Sequence, residues 1–145
     1  MYQLSSAVLS TITSVAKQSI PDGHPLVSTS LVDGVRNLSE MFTKGGKGAG
    51  TAYLEDPRLR TSYLSYYVPV NVSKIQLLLE ELRAVLPTER EFRVLDLGGG
   101  PGTGVLALLD WCSSQSLPPV DSLRMTVVDH SAKAMDLCAD LWRTY

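Results

Sequence analysis

The chain has few of the residues and patterns that mark several large classes of protein. It contains two cysteines, Cys112 and Cys138, which are not in CxxC spacing. So few cysteines argue against a disulfide scaffold, and their separation argues against a metal knuckle. No apolar run approaches the roughly 20 residues of a membrane span, and the N-terminus lacks the charged segment that opens a secretory signal. We therefore expect a soluble intracellular protein with no membrane partner.

Positive charge is also scarce. Lysine and arginine number 13 against 15 aspartates and glutamates, which gives a formal net charge of −2 and an isoelectric point of about 5.6. Proteins that bind nucleic acid through phosphate attraction alone are basic, so this composition predicts no whole-chain attraction to RNA and no DNA partner. What the sequence does have is 145 residues, of which 44% are hydrophobic. That is about one domain, with enough apolar surface to exclude global disorder.

The first 88 residues are predicted to form a helical region. Apolar residues recur at helical spacing in four stretches, residues 4–20, 31–42, 57–67 and 71–86. Asp56 and Pro57 favour a helix start, because Asp can cap a helix and proline suits its first position. Pro69 should end that helix, and another should follow from residue 71 or 73.

The side chains of the last two helices are assigned by their spacing. The inward face of the fourth helix should carry apolar residues, namely Ile75, Leu78, Leu79, Leu82 and Leu86. Its outward face should carry charged ones, namely Glu80, Glu81 and Arg83. The third helix is rich in tyrosine, at positions Tyr63, Tyr66 and Tyr67. We interpret the tyrosines as core or helix-packing residues. The alternative is that they stack on RNA bases, with contacts from Arg58, Arg60 and Arg93.

A glycine-rich segment at residues 44–51 invites comparison with a phosphate-binding loop. That motif needs a glycine where Met41 stands and a Ser or Thr where Gly48 stands, and no strand precedes the segment. We therefore interpret it as a linker.

Residues 89–145 change to a strand, helix, strand, helix pattern. The two apolar strands are Phe92–Leu97 and Leu123–Val128, and we expect them to be buried. Thr103 and Ser131 are predicted to cap the helix that follows each strand. This order predicts an α/β fold with a parallel crossover after the helical region.

The turn after the first strand carries alternate glycines behind an acid. The pattern is D-x-G-x-G-x-G, formed by Asp96, Gly98, Gly100 and Gly102. A dinucleotide fingerprint requires Gly or Ala where Thr103 stands, so it does not fit. An acid before the glycines would repel a pyrophosphate, but it suits a ligand with a cationic amino-acid group.

A second acid, Asp129, ends the second strand. A carboxylate at that place can accept hydrogen bonds from both hydroxyls of a ribose. Asp96 and Asp129 together therefore favour a nucleoside joined to an amino acid, which is the chemistry of S-adenosylmethionine. The structural alternative is that Asp129 only caps the last helix, and that His24 and His130 are surface histidines.

The motifs VLDLGGGPGTG (residues 94–104) and VVDHS (residues 127–131) resemble the first two cofactor motifs of class I S-adenosylmethionine-dependent methyltransferases. The segment RLRTSYLSYYVPVNVSKIQLLLEEL (residues 58–82), with GGGPGTG and LLDW after it, is similar to one family in particular. That family is the small-ribosomal-subunit-associated methyltransferase-like family of bacteria and mitochondria. The resemblance covers about residues 31–142 and implies that residues 89–145 form the first half of a Rossmann-like methyltransferase fold.

The resemblance also implies roles for individual residues. In such proteins the first acid and its glycines line the methionine end of the cofactor, which maps to Asp96, Gly98, Gly100 and Gly102. The acid that ends the second strand holds the ribose, which maps to Asp129, and His130 would flank the adenine. No catalytic residue is assigned, because the substrate-side segment and the family's cysteine ligands for an iron–sulfur cluster have no counterpart here.

The function implied by the resemblance is that of a methyltransferase-like protein acting with the small ribosomal subunit or its rRNA, in assembly or translation. Its location would be the cytoplasm or, in a eukaryote, the mitochondrial matrix. The sequence supplies two of the about seven strands of such a sheet, so we expect a truncated form with an incomplete active site. Two alternatives stay open, a non-catalytic assembly module that docks on RNA or ribosomal protein with a vestigial cofactor fold, and an inactive fragment.

Overall fold

The computed structural model describes residues 4–20, 28–44, 51–85, 92–114 and 123–145. Its helices are α1 (Ser6–Gln18), α2 (Ser28–Thr43), α3 (Pro57–Ser62), α4 (Val68–Leu82), α5 (Thr103–Ser114) and α6 (Ala132–Thr144). Its strands are β1 (Phe92–Leu97) and β2 (Leu123–Val128). Short 3-10 turns lie at Thr51–Leu54 and Arg83–Val85. The described residues are thus mostly helical, with two parallel strands in α/β order.

Side-chain caps fix three helix starts. The Asp56 carboxylate accepts hydrogen bonds from the backbone N–H groups of Arg58 and Leu59, and Pro57 follows at the first helical position. Ser131 Oγ accepts from the Ala134 N–H at 3.1 Å. Ser5 caps α1 in the same way. The predicted starts at Asp56 and Ser131 are confirmed, because these side chains satisfy N–H groups that have no intrahelical partner.

The predicted end of a helix at Pro69 is wrong. A π-helical segment, Tyr63–Tyr67, joins α3 to α4, and the backbone N–H of Val68 donates to the carbonyl of Tyr63 five residues earlier. A proline lacks the N–H of the helical ladder, and its ring clashes with the carbonyl four residues before it. The wider π turn directly before Pro69 accommodates both effects, so the helical path continues from Pro57 to Leu82.

The inward face of α4 also differs from the prediction. Leu78 and Leu82 are 56% and 49% exposed, whereas the buried positions are Val68, Val72 and Gln76. Gln76 takes an inward position because its Nε2 donates to Oδ2 of the buried Asp110 at 2.7 Å. The spacing of apolar residues, on which the prediction was based, does not reveal this polar pair.

The charged residues near the end of α4 do more than face solvent. Trp111 Nε1 donates to Glu80 Oε2 at 3.1 Å, which ties α4 to α5. Arg83 pairs with the same carboxylate at 3.2 Å. Glu81 and Arg83 are exposed as predicted.

One apolar core joins the helical region to the strand and helix part. Its buried members come from α1, α2 and α4 and also from α5 and α6, for example Val8, Leu64 and Leu106. Tyr63 and Tyr67 pack against this core, which confirms the core interpretation for both. Tyr66 is exposed, so that interpretation is wrong for it.

The two strands pair in parallel, with Phe92 opposite Leu123 and Leu97 opposite Val128. Alternate side chains of each strand point toward α5 and α6, and the others face away. On the far face Leu95, Leu97 and Val128 are exposed among the described residues. The expectation of fully buried strands is therefore wrong for this face, which no described element covers.

Candidate functional site

The glycine turn connects the carboxyl end of β1 to the start of α5. Gly98, Gly100 and Gly102 have φ angles of 70°, 55° and 90°. Side chains strongly disfavour positive φ, so the alternation of glycines follows from the backbone path. The Gly98 N–H donates to the carbonyl of Val128 at 2.8 Å, which holds the turn against the end of β2.

Asp129 closes the turn from the β2 side. Its Oδ2 accepts a hydrogen bond from the Gly100 N–H at 2.9 Å, and its Oδ1 accepts one from the Ser131 N–H at 2.9 Å. The Asp129 side chain is 5% exposed. A carboxylate offers about four acceptor positions, and these two hydrogen bonds occupy two of them. Asp129 supports the start of α6, but the capping side chain is that of Ser131.

Asp96 lies beneath the same turn. A Cβ atom placed on Gly104 would come within 2.5 Å of Asp96 Oδ2, and one placed on Gly99 would come within 2.8 Å. Burial raises the pKa of Asp96 above its usual range, and the charge of Asp129 raises it further. The two acids therefore act on each other, as expected at the shared edge of two parallel strands.

The turn has room on its outer side. A Cβ atom on Gly98 or Gly100 would meet nothing within 4 Å. A ligand approaching there meets glycine backbone, with Asp96 and Asp129 as the acids of the site. Carboxylate oxygens accept hydrogen bonds, so the two acids fit an ammonium group and ribose hydroxyls. Their charge also attracts a sulfonium and disfavours a diphosphate. The residues present thus fit the nucleoside and amino-acid groups of S-adenosylmethionine.

His130 lies at the rim of the site. Its side chain is 77% exposed, and its Nδ1 is 3.5 Å from Asp129 Oδ1. Of the six residues predicted to bind cofactor, the structure brings Asp96, the three glycines and Asp129 together. His130 is next to this group but is directed mainly to solvent.

Thr103 is not the cap of α5, contrary to the prediction. The carbonyl of Gly102 accepts from the Leu106 N–H at 3.1 Å, and Thr103 is the first helical residue. Its Oγ1 is buried and has no hydrogen-bond partner within the described residues. The sequence did not single out this hydroxyl, because no local pattern shows that it is buried.

Of the arginines named as possible RNA contacts, Arg60 is engaged within the protein, and Arg93 is exposed on β1. Arg60 donates to the carbonyl of Leu54 at 2.7 Å and to that of Ser19 at 3.1 Å, so it joins three segments of the helical region. Arg58 is exposed. In the glycine-rich linker, residues 45–50 lie outside the described residues, as does His24.

The described ranges contain no group of three His, Cys, Asp or Glu side chains that could hold a metal ion. Cys112 and Cys138 are both buried, and neither forms a disulfide. None of the described helices is both long enough and apolar enough to cross a membrane.

Comparison with known proteins gives no relative. No family model matches the chain, and neither does any curated protein or solved structure.

Proposed function

We propose that the chain is an S-adenosylmethionine-dependent methyltransferase-like protein, with its cofactor bound at the glycine turn. In this proposal β1, α5, β2 and α6 are the first half of a Rossmann-like methyltransferase sheet. The bound group would supply an activated methyl on a positively charged sulfur. The protein's part would be to bind and orient that group.

One observation carries the proposal. The Asp129 carboxylate, at the end of β2, accepts a hydrogen bond at 2.9 Å from the Gly100 N–H. Gly100 lies in the middle of the glycine turn that follows β1. Ligands of open parallel sheets bind at the carboxyl ends of neighbouring strands. The Asp129 acceptor positions that remain suit ribose hydroxyls, and Asp96 suits the amino-acid end.

The sign of the charge favours this ligand over a dinucleotide. Burial, and then the charge of Asp129, raises the pKa of Asp96. A pyrophosphate at the turn would add negative charge beside Asp96, whereas a cationic group would stabilise its carboxylate in the ionised form. Asp129 could hold the ribose of either ligand, so the charge of Asp96 is what supports a sulfonium nucleoside over NAD.

The partner in this proposal is the small ribosomal subunit or its rRNA. It rests on the family resemblance of residues 31–142, with the tyrosine-rich segment at residues 58–82 as its most specific part. Cosedimentation of the full chain with purified small subunits tests it. Binding that survives moderate salt supports the partner, and no binding at low salt contradicts it.

Calorimetric titration of the full chain with S-adenosylhomocysteine tests the cofactor. Asp129→Asn keeps the shape of the side chain but replaces one acceptor oxygen with a donor, so it should weaken binding by roughly tenfold or more. Asp136→Asn is the matched control, because it makes the same change at an exposed acid of α6; we expect it to change affinity by less than about threefold. Equal binding by Asp129→Asn and the wild type would remove Asp129 from the site.

A second candidate is a non-catalytic assembly module with a vestigial cofactor fold. The observation that favours it is that Asp129 is almost fully buried and already bonded to Gly100 and Ser131. On this alternative the acid only stabilises the turn. The titration separates the two, because the module binds small subunits without binding S-adenosylhomocysteine.

A further inference from the structure

The face of α4 that points away from the core is also apolar. Its buried face carries Val68, Val72 and Gln76. Six large apolar side chains on α4 and on the turns that adjoin it are nevertheless exposed among the described residues, namely Tyr66, Val70, Leu77, Leu78, Leu82 and Val85. A helix with apolar residues all round is normally covered all round, and a large exposed apolar patch marks a site of interaction. The outer face of α4 is therefore a candidate interaction surface.

Six exposed residues form a band along this face, which we call the α4 stripe. Successive residues of an α-helix are about 100° apart, so residues three and four apart lie on one side of it. By this spacing the stripe lies within an arc of about 100° and extends for about 22 Å. Its members are Val70, Lys74, Leu77, Leu78, Glu81 and Val85.

The α4 stripe has the same spacing when it is read from either end. The charges at equivalent positions are opposite, because Lys74 lies three residues before Leu77 and Glu81 lies three residues after Leu78. Two antiparallel copies related by a two-fold axis between Leu77 and Leu78 would therefore bring Lys74 of each against Glu81 of the other. A parallel pair would place lysine against lysine, so the charges select the antiparallel orientation.

Both charged side chains of the stripe can take part in such a contact. Lys74 and Glu81 are exposed, and none of the ion pairs between described residues includes either of them. They lie about two turns apart, which is too far for a pair within one helix. Lys74 Nζ makes a long contact with Asn71 Oδ1, at 3.5 Å. A second copy would supply each of these charges with an opposite one.

We propose that the α4 stripe binds the α4 stripe of a second copy of this chain, antiparallel, with Lys74 of each copy against Glu81 of the other. Leu77 and Leu78 lie beside the two-fold axis and pack against the same leucines of the second copy. This interface is isologous, so it closes as a dimer. One pair of helices buries less area than a standard interface, so the dimer should be in concentration-dependent equilibrium with the monomer. It requires no ligand at the glycine turn.

Charge reversal tests the orientation of the two copies. Lys74→Glu and Glu81→Lys each place like charges against each other in both halves of the interface, so each should weaken dimerisation by roughly tenfold or more. An equimolar mixture of these two variants should associate, because every contact then joins opposite charges again. The double variant Lys74→Glu/Glu81→Lys should dimerise like the wild type for the same reason. Sedimentation equilibrium of the full chain, over a range of concentrations, measures these associations.

A polar substitution at the centre of the stripe tests its apolar part. Leu78→Gln should weaken dimerisation by roughly tenfold or more, because the side chain lies beside the axis and occurs twice in the dimer. The matched controls are Leu9→Gln, at an exposed leucine of α1, and Glu55→Lys, at an exposed acid outside the stripe. Both should leave dimerisation unchanged. Since all these side chains are exposed, circular dichroism should show the helix content of the wild type in every variant.

Three results would overturn the proposal. The first is a chain that stays monomeric at every concentration. The second is a dimer whose affinity is unchanged in Glu81→Lys and Leu78→Gln, since that dimer uses another surface. The third is a monomer whose cosedimentation with small ribosomal subunits is weakened by Leu78→Gln, because the stripe would then bind the subunit and not a second copy. Association of the mixed charge variants, when neither associates alone, supports the antiparallel pair.

Discussion

The core of the helical region (residues 4–85) and the far face of the sheet formed by β1 and β2 differ in how their apolar side chains are covered. Leu64, in the helical region, is 0% exposed, whereas Leu97, at the end of β1, is 73% exposed among the described residues. The first part is built around side chains covered from all directions. The second part carries the glycine turn on a sheet with one face that no described element covers. We infer that stability is concentrated in the helices and the shared core, and the proposed ligand site lies at the strand ends.

The largest expected difference in the free energy of unfolding comes from making the same leucine-to-alanine substitution in the two parts. Leu64→Ala should lower the free energy of unfolding by about 2–5 kcal/mol, because it removes buried contacts and leaves a cavity. Leu97→Ala should change it by less than about 0.5 kcal/mol, since the side chain is already in solvent. Urea unfolding of both variants measures this. Similar losses in the two would contradict the comparison and indicate that the far sheet face is covered in solution.

Within the turn, alanine substitutions at two glycines should differ by a smaller amount in their effect on stability. Gly102→Ala should destabilise by about 3 kcal/mol, because the alanine must adopt a φ of 90° and its Cβ would lie 3.2 Å from Cys138 Cα. Gly100→Ala faces only the cost of positive φ, about 1–2 kcal/mol, since its Cβ meets nothing within 4 Å. Thermal unfolding ranks the two variants. If Gly100→Ala were the less stable variant, the contact between Gly102 and Cys138 of α6 would be contradicted.

Removing a helix cap should destabilise the two parts by similar amounts. Asp56→Ala in the helical region and Ser131→Ala before α6 should each cost about 1 kcal/mol, because each side chain satisfies helix N–H groups. Matched urea titrations compare them. A negligible cost for Ser131→Ala alone would indicate that Asp129 supports α6 without it.

The smallest expected effect concerns pH. Burial, and then the charge of Asp129, raises the pKa of Asp96 in the folded protein. The folded state therefore binds this proton more tightly than the unfolded state does. The resulting stability is complete below the unfolded pKa and is lost as pH rises through the raised one. Asp96→Asn should flatten this part of the stability profile in acid, and an unchanged profile would show that Asp96 is freely solvated.

The sequence predicted the strand and helix part better than the helical one. Both strands, the parallel pairing and the cap at Ser131 were predictable, because alternate glycines and short β-rich runs leave the backbone few other conformations. The prediction that Pro69 ends a helix was wrong because the π turn directly before it accommodates the proline ring. The inward position of Gln76 was not predicted because its hydrogen-bond partner, Asp110, is 34 residues away.

The central claim is that two carboxylates at neighbouring strand ends favour a cationic nucleoside over a diphosphate. Equilibrium dialysis of the full chain against labelled S-adenosylmethionine and labelled NAD, with Asp96→Asn run in parallel, tests it most directly. We expect the wild type to retain the sulfonium nucleoside and not NAD, and Asp96→Asn to retain less of it. Retention of NAD with exclusion of S-adenosylmethionine would contradict the account.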